Sequence, residues 1–125
     1  MKKIINSVKA PAPIGPYSQA VRMNDTLYVS GQIAIDQSKG EVMDGSIEEE
    51  TEQVMKNMGY ILEEAGLTYE HVLKCSIFVS DMNNFSRINE IYGKYFTSNP
   101  PARETVEVSK LPKGVNVEIS CIAHF

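Results

Sequence analysis

Two segments with helical periodicity, each followed by a segment with strand periodicity, constrain the fold of this chain more than any other feature. Residues 46–66 and 84–96 carry apolar side chains at helical spacing, whereas residues 72–79 and 103–109 alternate along the chain. A strand–helix–strand unit within one sheet almost always crosses over with a right hand. The sequence therefore predicts a mixed sheet with both helices packed on one face.

The first helix has clear start and stop signals. Ser46 lies three residues before Glu49, which predicts a capping box, and Gly66 supplies the C-terminal stop. The acidic run 48–50 favours the positive end of the helix dipole, so it indicates a solvated first turn rather than a metal or partner site.

Three other segments complete the predicted sheet. Residues 19–23 and 26–35 alternate and are joined by a short turn, and residues 115–123 follow a turn signal around Pro112. The predicted order is β-β-α-β-α-β-β. The chain has 125 residues, of which 42% are hydrophobic, which is enough for one core. We therefore expect a single α+β domain over residues 1–125.

Packing both helices on one side leaves the other face of the sheet without a helix. The side chains predicted on that open face are Tyr28, Ser30, Gln32, Ser76, Phe78, Arg103, Thr105, Glu107, Asn116, Glu118, Ser120 and Ile122. They are too polar for a dry core and too aromatic for a plain solvated surface. This mixture indicates a subunit interface or a cleft, so we expect an oligomer.

Composition excludes several classes of function. The formal net charge of -4 and the absence of a basic stripe make nucleic-acid binding an unfavourable interpretation. No apolar run approaches a membrane span, and early prolines interrupt any signal-peptide core, so we expect a cytoplasmic protein without membrane contact. Cys75 and Cys121 have neither redox nor metal-ligand spacing and are predicted as buried thiols. No metal site is expected.

Arg103 is the first candidate binding residue. Pro100 and Pro101 restrict its approach, and a pre-positioned guanidinium suits a carboxylate that it grips through two hydrogen bonds. A surface ion pair with Glu104 or Glu107 is the alternative.

Glu118 is the candidate acid or base. The predicted faces place Arg103 and Glu118 on one side of adjacent strands, where a simple cross-strand ion pair is the alternative. A glutamate with a pKa of ~4.3 is a weak base, so a catalytic role requires burial.

Tyr17, held by a Gly-Pro pair, either presents its hydroxyl to a ligand or packs over the sheet edge. Asn89 lies at the margin of the second helix's apolar stripe.

Five spaced motifs carry a resemblance that runs nearly end to end. They are Ala10-Pro11-Ala12-Pro13-Ile14-Gly15-Pro16-Tyr17-Ser18-Gln19-Ala20, Val29-Ser30-Gly31-Gln32-Ile33, Pro100-Pro101-Ala102-Arg103 with Val106-Glu107-Val108, Leu111-Pro112, and Val117-Glu118-Ile119. In this order they resemble the RidA (YjgF-type) family of enamine/imine deaminases. The resemblance implies a chorismate-mutase-like fold, a homotrimer with clefts at subunit interfaces, and hydrolysis of 2-imino acids to 2-oxo acids and ammonia without metal or organic cofactor.

The resemblance also implies roles for individual residues. Arg103 matches the arginine that holds the substrate carboxylate, and Glu118 matches the glutamate that orients or activates water. The matching pocket-lining positions are Tyr17, Ser30, Gly31 and Asn89. Thr105 stands where many members have a cysteine; its backbone remains available for substrate binding, but a thiol role is excluded.

Two other functions remain open at this point. One is a non-catalytic trimer that binds small metabolites and acts as a regulatory or chaperone-like protein. The other, a ribonuclease or translation inhibitor, is disfavoured by the acidic balance of the chain.

Overall fold

The computed structural model describes residues 1–125 and confirms the α+β class, with eight strands and two α-helices. The helices are α1 (Ile47–Glu64) and α2 (Phe85–Gly93). The strands are β1 (Lys3–Ile5), β2 (Ala20–Met23), β3 (Thr26–Gln32), β4 (Ile35–Asp36), β5 (Glu41–Val42), β6 (Val72–Val79), β7 (Ala102–Glu107) and β8 (Val117–His124). No helix combines the length and the apolar character that crossing a membrane requires.

The main sheet is mixed, with the strand order β1-β2-β3-β8-β6-β7. Only β6 and β7 are parallel, because α2 connects them as a crossover, and every other neighbouring pair is antiparallel. β8 therefore lies between β3 and β6. The prediction that residues 103–109 and 115–123 form adjacent strands is wrong, because the chain crosses the end of β6 before β8 begins.

The core lies between the sheet and the two helices. Helix α1 contributes a continuous apolar face that packs on the sheet, and its fully buried members include Val54, Met55, Met58, Ile61 and Leu62.

The predicted capping box is confirmed. The Glu49 backbone N–H donates to Ser46 Oγ at 3.1 Å, and the Ser46 N–H donates to Glu49 Oε1 at 3.0 Å.

A β-bulge interrupts β3, and the alternation predicted for residues 26–35 fails there. Val29 pairs with Cys121, but Gln32 pairs with Ile119, so two residues of β3 oppose one residue of β8. Consequently Gln32 is buried rather than on the open face, which corrects its predicted position.

The short strands β1, β4 and β5 were not predicted. Two or three residues carry too few alternating positions to distinguish a strand from a loop. The prediction that Cys75 and Cys121 are buried free thiols is confirmed, and the two residues face each other across β6 and β8. Burial raises the pKa of the Cys75 thiol to about 11.

Candidate functional site

Glu118 lies on the open face of β8, at one wall of a small pocket. The pocket has a volume of about 80 Å³ and is bounded by the N-terminal proline-rich segment, the end of β3 and the turn before β8. Its lining residues are Pro11, Ala12, Ile14, Tyr17, Gln19, Gly31, Gln32, Ile33, Ile35, Pro112 and Glu118. A single carboxylate among mainly apolar walls is suited to proton transfer with a small ligand.

Burial alone raises the pKa of the Glu118 carboxyl above its usual value of 4.5. No hydrogen bond or nearby cation contributes to this shift. The ionised form is therefore a stronger base than an ordinary surface glutamate, and its lone pairs remain available to water or ligand. This provides the burial that the sequence argument required.

Gly31 gives the Glu118 side chain its space. A Cβ placed on Gly31 would lie 2.9 Å from Glu118 Cδ and closer still to Oε2. The bulge in β3 and the missing side chain together let the carboxylate lie directly against the backbone of β3. Gly31 thus lines this pocket, and its role in substrate binding stays a prediction.

Tyr17 is held at the pocket mouth by its own loop. Its N–H donates to the Gly15 carbonyl at 2.8 Å, and its hydroxyl accepts from the Ile14 N–H at 3.4 Å. Because the hydroxyl acts as an acceptor here, its proton remains free for donation to a ligand. The structure therefore brings together Tyr17, Gly31 and Glu118.

Ser30 does not line this pocket within one chain, and its assignment to a substrate pocket stays a prediction. Its hydroxyl donates to the Ser18 carbonyl at 2.6 Å, and its N–H donates to the Gln19 carbonyl at 2.9 Å. In this chain both bonds tie the bulge to the loop that carries Tyr17.

Arg103 lies on the edge strand β7 in a second, separate concavity of about 430 Å³. Its Nη1 donates to Asn89 Oδ1 at 2.6 Å, and its guanidinium carbon lies 5.1 Å from the Tyr92 ring and 5.4 Å from the Phe85 ring. Asn89 therefore orients the guanidinium, whose other edge remains free for an anion. Phe85, Asn89 and Tyr92 have the i, i+4, i+7 spacing of one helix face, with Asn89 as the polar member beside the apolar stripe.

The alternative ion pairs of Arg103 do not form. Glu104 instead accepts hydrogen bonds from Ser76 and pairs with Lys74 at 3.1 Å, and Glu107 accepts from the Met82 N–H at 2.8 Å. Arg103 has no carboxylate partner within its own chain.

The predicted placement of Arg103 and Glu118 on one face is wrong. Arg103 is in register with Cys75, which faces the helices, whereas Glu118 is in register with Phe78 on the opposite face. The strand β6 also separates them. Parallel pairing with β6 sets the orientation of β7, so the alternation of β7 does not continue the alternation of β8.

Thr105 and Glu107 share the helix-facing side of β7 with Arg103, which corrects their predicted face as well. The Thr105 hydroxyl is buried and has no hydrogen-bond partner. No three His, Cys, Asp or Glu side chains cluster closely enough to hold a metal ion. A concavity of about 530 Å³ between α1 and the turn after β4 contains none of the predicted site residues.

Comparison with known proteins relates this geometry to a family. The family model described as Endoribonuclease L-PSP matches residues 7–125. A human protein named 2-iminobutanoate/2-iminopropanoate deaminase is 46% identical over 123 residues, covering 98% of this chain and 90% of that protein. A putative endoribonuclease from Thermotoga maritima has a TM-score of 0.97 and 46% identity, covering 100% of this chain and 98% of its own. E. coli TdcF with bound serine has a TM-score of 0.94 and 35% identity, covering 98% of each chain.

The shared fold identifies the class of protein, a single-domain α+β protein of the YjgF type. The chain belongs to the Endoribonuclease L-PSP family, which includes YjgF and RidA, as its five motifs suggested. Relatives named as deaminases also support an enzymatic, RidA-type function in general.

Proposed function

We propose that this protein hydrolyses small 2-imino acids and their enamine tautomers, such as 2-iminobutanoate and 2-iminopropanoate, to 2-oxo acids and ammonia. The main observation is the Glu118 carboxylate, which is half-buried, more basic than usual and unpaired, and which lies against Gly31 in a pocket that Tyr17 also lines. The human, mouse and rat relatives named for this activity support the same choice.

The proposed cleft is formed by two copies of the chain. Arg103 and Glu118 lie on opposite faces of one sheet, so a small ligand held by both must lie between subunits. The open face offers a surface for such contact, because Tyr28 and Val106 are exposed there, about half of each side chain in contact with water. We propose a homotrimer with three equivalent clefts, the assembly that the family resemblance implies.

In the proposed reaction, the free edge of Arg103 holds the substrate carboxylate through two hydrogen bonds. Glu118 of the neighbouring copy accepts a proton from water as the water oxygen bonds to the imine carbon, and the π electron pair moves to nitrogen. The protonated Glu118 then returns a proton to that nitrogen. For the protonated imine this gives a carbon that carries a hydroxyl and an ammonium group. The C–N bond then breaks as the C=O bond forms, ammonia leaves, and the hydroxyl proton passes to a water molecule.

This chemistry requires neither a metal nor an organic cofactor. A protonated imine is already electrophilic, so the protein contributes mainly by holding the carboxylate and the attacking water in register. The apolar side chains of Ile14, Ile33 and Ile35 form a wall suited to a short aliphatic substrate side chain.

The direct test is hydrolysis of imines generated in situ. An L-amino-acid oxidase acting on several amino acids supplies 2-imino acids, and release of ammonia and 2-oxo acid is followed with and without the protein. We expect acceleration that is greatest for short aliphatic side chains. Equal rates with and without the protein, for every amino acid tried, would contradict the proposal.

A non-catalytic metabolite-binding trimer with a regulatory or chaperone-like role is the second candidate. E. coli TdcF, a structural neighbour, has been solved with bound serine, and Arg103 serves carboxylate binding equally well without catalysis. Binding of pyruvate without turnover of any imine would favour this function. The family's description as an endoribonuclease receives little support from a net charge of -4, and RNA cleavage is tested in the same preparation.

A further inference from the structure

Glu50 of α1 is a buried acid without a cation. Its residue is only 5% exposed, and none of the three ion pairs in the chain includes it. A carboxylate in such a position is unfavourable unless hydrogen bonds replace its hydration. The partners that stabilise it therefore indicate its role.

All three donors to Glu50 lie at the start of β8. Oε2 accepts from the backbone N–H groups of Asn116 at 2.7 Å and Val117 at 3.1 Å, and Oε1 accepts from Asn116 Nδ2 at 2.8 Å. Asn116 precedes the strand, and the Ser80 N–H already donates to its carbonyl at 3.1 Å, which joins it to the residue after β6. The charge-assisted hydrogen bonds to Glu50 hold the other polar groups of this segment, its N–H groups and the Asn116 amide, against a rigid helix.

The residue that follows this anchored segment is Glu118. No hydrogen bond fixes its carboxylate, so its position depends on the path of the backbone and on packing against Gly31. A shift at Asn116 or Val117 would therefore move the candidate base directly.

We propose that Glu50 is a positioning residue that acts through the β8 backbone to hold Glu118 against Gly31. The inference rests on the proposed function and adds a residue whose side chain does not touch the substrate. Helix α1 thus orients the reacting carboxylate as well as covering the sheet.

The test compares Glu50→Gln with the matched control Glu64→Gln. The first keeps the shape but places an amide N–H₂ group against backbone donors, whereas the second removes one negative charge from an exposed position on the same helix. For Glu50→Gln we expect kcat to fall about 10- to 100-fold, because small displacements of a reacting group have effects of this size. The affinity for pyruvate should stay within about twofold, since Arg103 belongs to another strand.

A wild-type kcat in folded Glu50→Gln would overturn the inference. A loss of kcat no larger than the fraction of unfolded protein measured by circular dichroism would overturn it as well. If that variant does not fold, Asn116→Ala replaces it. Asn116→Ala removes one of the three donors, and we expect about a fivefold loss of kcat with unchanged pyruvate affinity. Unchanged kcat in this variant would then count against the role of Glu50.

A second readout separates this inference from the proposed function. Carboxyl carbon NMR follows the titration of Glu118 in the wild type and in Glu50→Gln, whether or not either protein has activity. We expect the midpoint to move toward the usual glutamate value when Glu50 is changed, because Glu118 leaves its buried position. Identical midpoints would overturn the positioning role, whereas an inactive wild type alone would overturn only the deaminase proposal.

Discussion

Glu118 combines two properties that conflict in ordinary surface residues, since it is half-buried and yet has no hydrogen-bond donor. Burial raises the pKa of Glu118 in the folded state above its pKa in the unfolded chain, so the folded state favours the neutral carboxyl. The free energy of unfolding therefore falls as pH rises from the unfolded-state pKa through the folded-state pKa. The ionised base at neutral pH therefore reduces stability slightly. Such a trade-off is common where a side chain serves function.

Glu118→Gln tests the base directly. We expect turnover to be lost while pyruvate affinity is retained, because the amide keeps the shape but accepts no proton. The melting temperature at neutral pH should rise slightly. The corresponding gain in the free energy of unfolding should be less than about 1 kcal/mol, because much of the side chain is exposed. In the wild type, kcat should fall with decreasing pH through a pKa above 4.5, since protonation removes the base. Retained imine hydrolysis in the variant would assign water activation to another group.

Arg103→Ala tests the anchor. The loss of two charge-assisted hydrogen bonds should weaken pyruvate binding by about 10- to 100-fold in calorimetry. Arg22→Ala is the matched control, because that arginine packs on the Phe125 ring, away from both concavities. Equal affinity in Arg103→Ala and wild type would refute the assignment of the carboxylate to Arg103.

Gly31→Ala tests the close approach of β3 to Glu118. The added Cβ would overlap the carboxylate, which is the flexible end of a side chain, so Glu118 should move while the fold persists. We expect kcat to fall by about 10- to 100-fold with a nearly unchanged melting temperature. A crystal structure of an active Gly31→Ala variant with Glu118 in its original place would contradict this account.

The sequence motifs predict site roles for Tyr17, Gly31, Arg103 and Glu118, and these roles stay predictions, whereas no motif points to Glu50. Glu48, Glu49 and Glu50 are three consecutive acids in the first turn of α1, and the sequence does not distinguish the buried one from its neighbours. Its partners lie more than sixty residues away, so only the folded chain shows its role.

At the scale of elements, periodicity was sufficient to predict α1, β6 and the turn between β2 and β3, where local pattern and burial agree. It did not predict which side chains face the core after the bulge of β3, or which strands lie beside β8. A bulge shifts the face of every later residue, and strand order depends on long-range pairing that local alternation does not encode.

The capping box gives a prediction at this scale. Ser46→Ala removes the hydroxyl that accepts from the Glu49 N–H, so it should reduce the free energy of unfolding by about 1 kcal/mol. Because the cap lies away from both concavities, pyruvate affinity should not change. Chemical denaturation measures the first effect and calorimetry the second. A stability equal to that of the wild type would show that the cap contributes nothing to the folded chain.

For the whole molecule, the proposed assembly follows from the opposite faces of Arg103 and Glu118, because one chain alone cannot bring both side chains to the same small ligand. Local alternation predicted one shared face for Arg103 and Glu118 within one chain, and this prediction is wrong because the pairing of β7 with β6 places Arg103 on the helix-facing side. In the proposed assembly, the exposed aromatic and apolar side chains of the open face would lie at the interface.

Mixed trimers test this shared cleft most directly. Arg103→Ala and Glu118→Gln chains with different tags are co-expressed and purified through both tags, so that each trimer contains both variants. In a cyclic trimer of either composition, one cleft receives Arg103 from one copy and Glu118 from its neighbour. We predict that two inactive variants together recover about one third of wild-type activity. Mixed trimers as inactive as their parents would contradict the shared cleft.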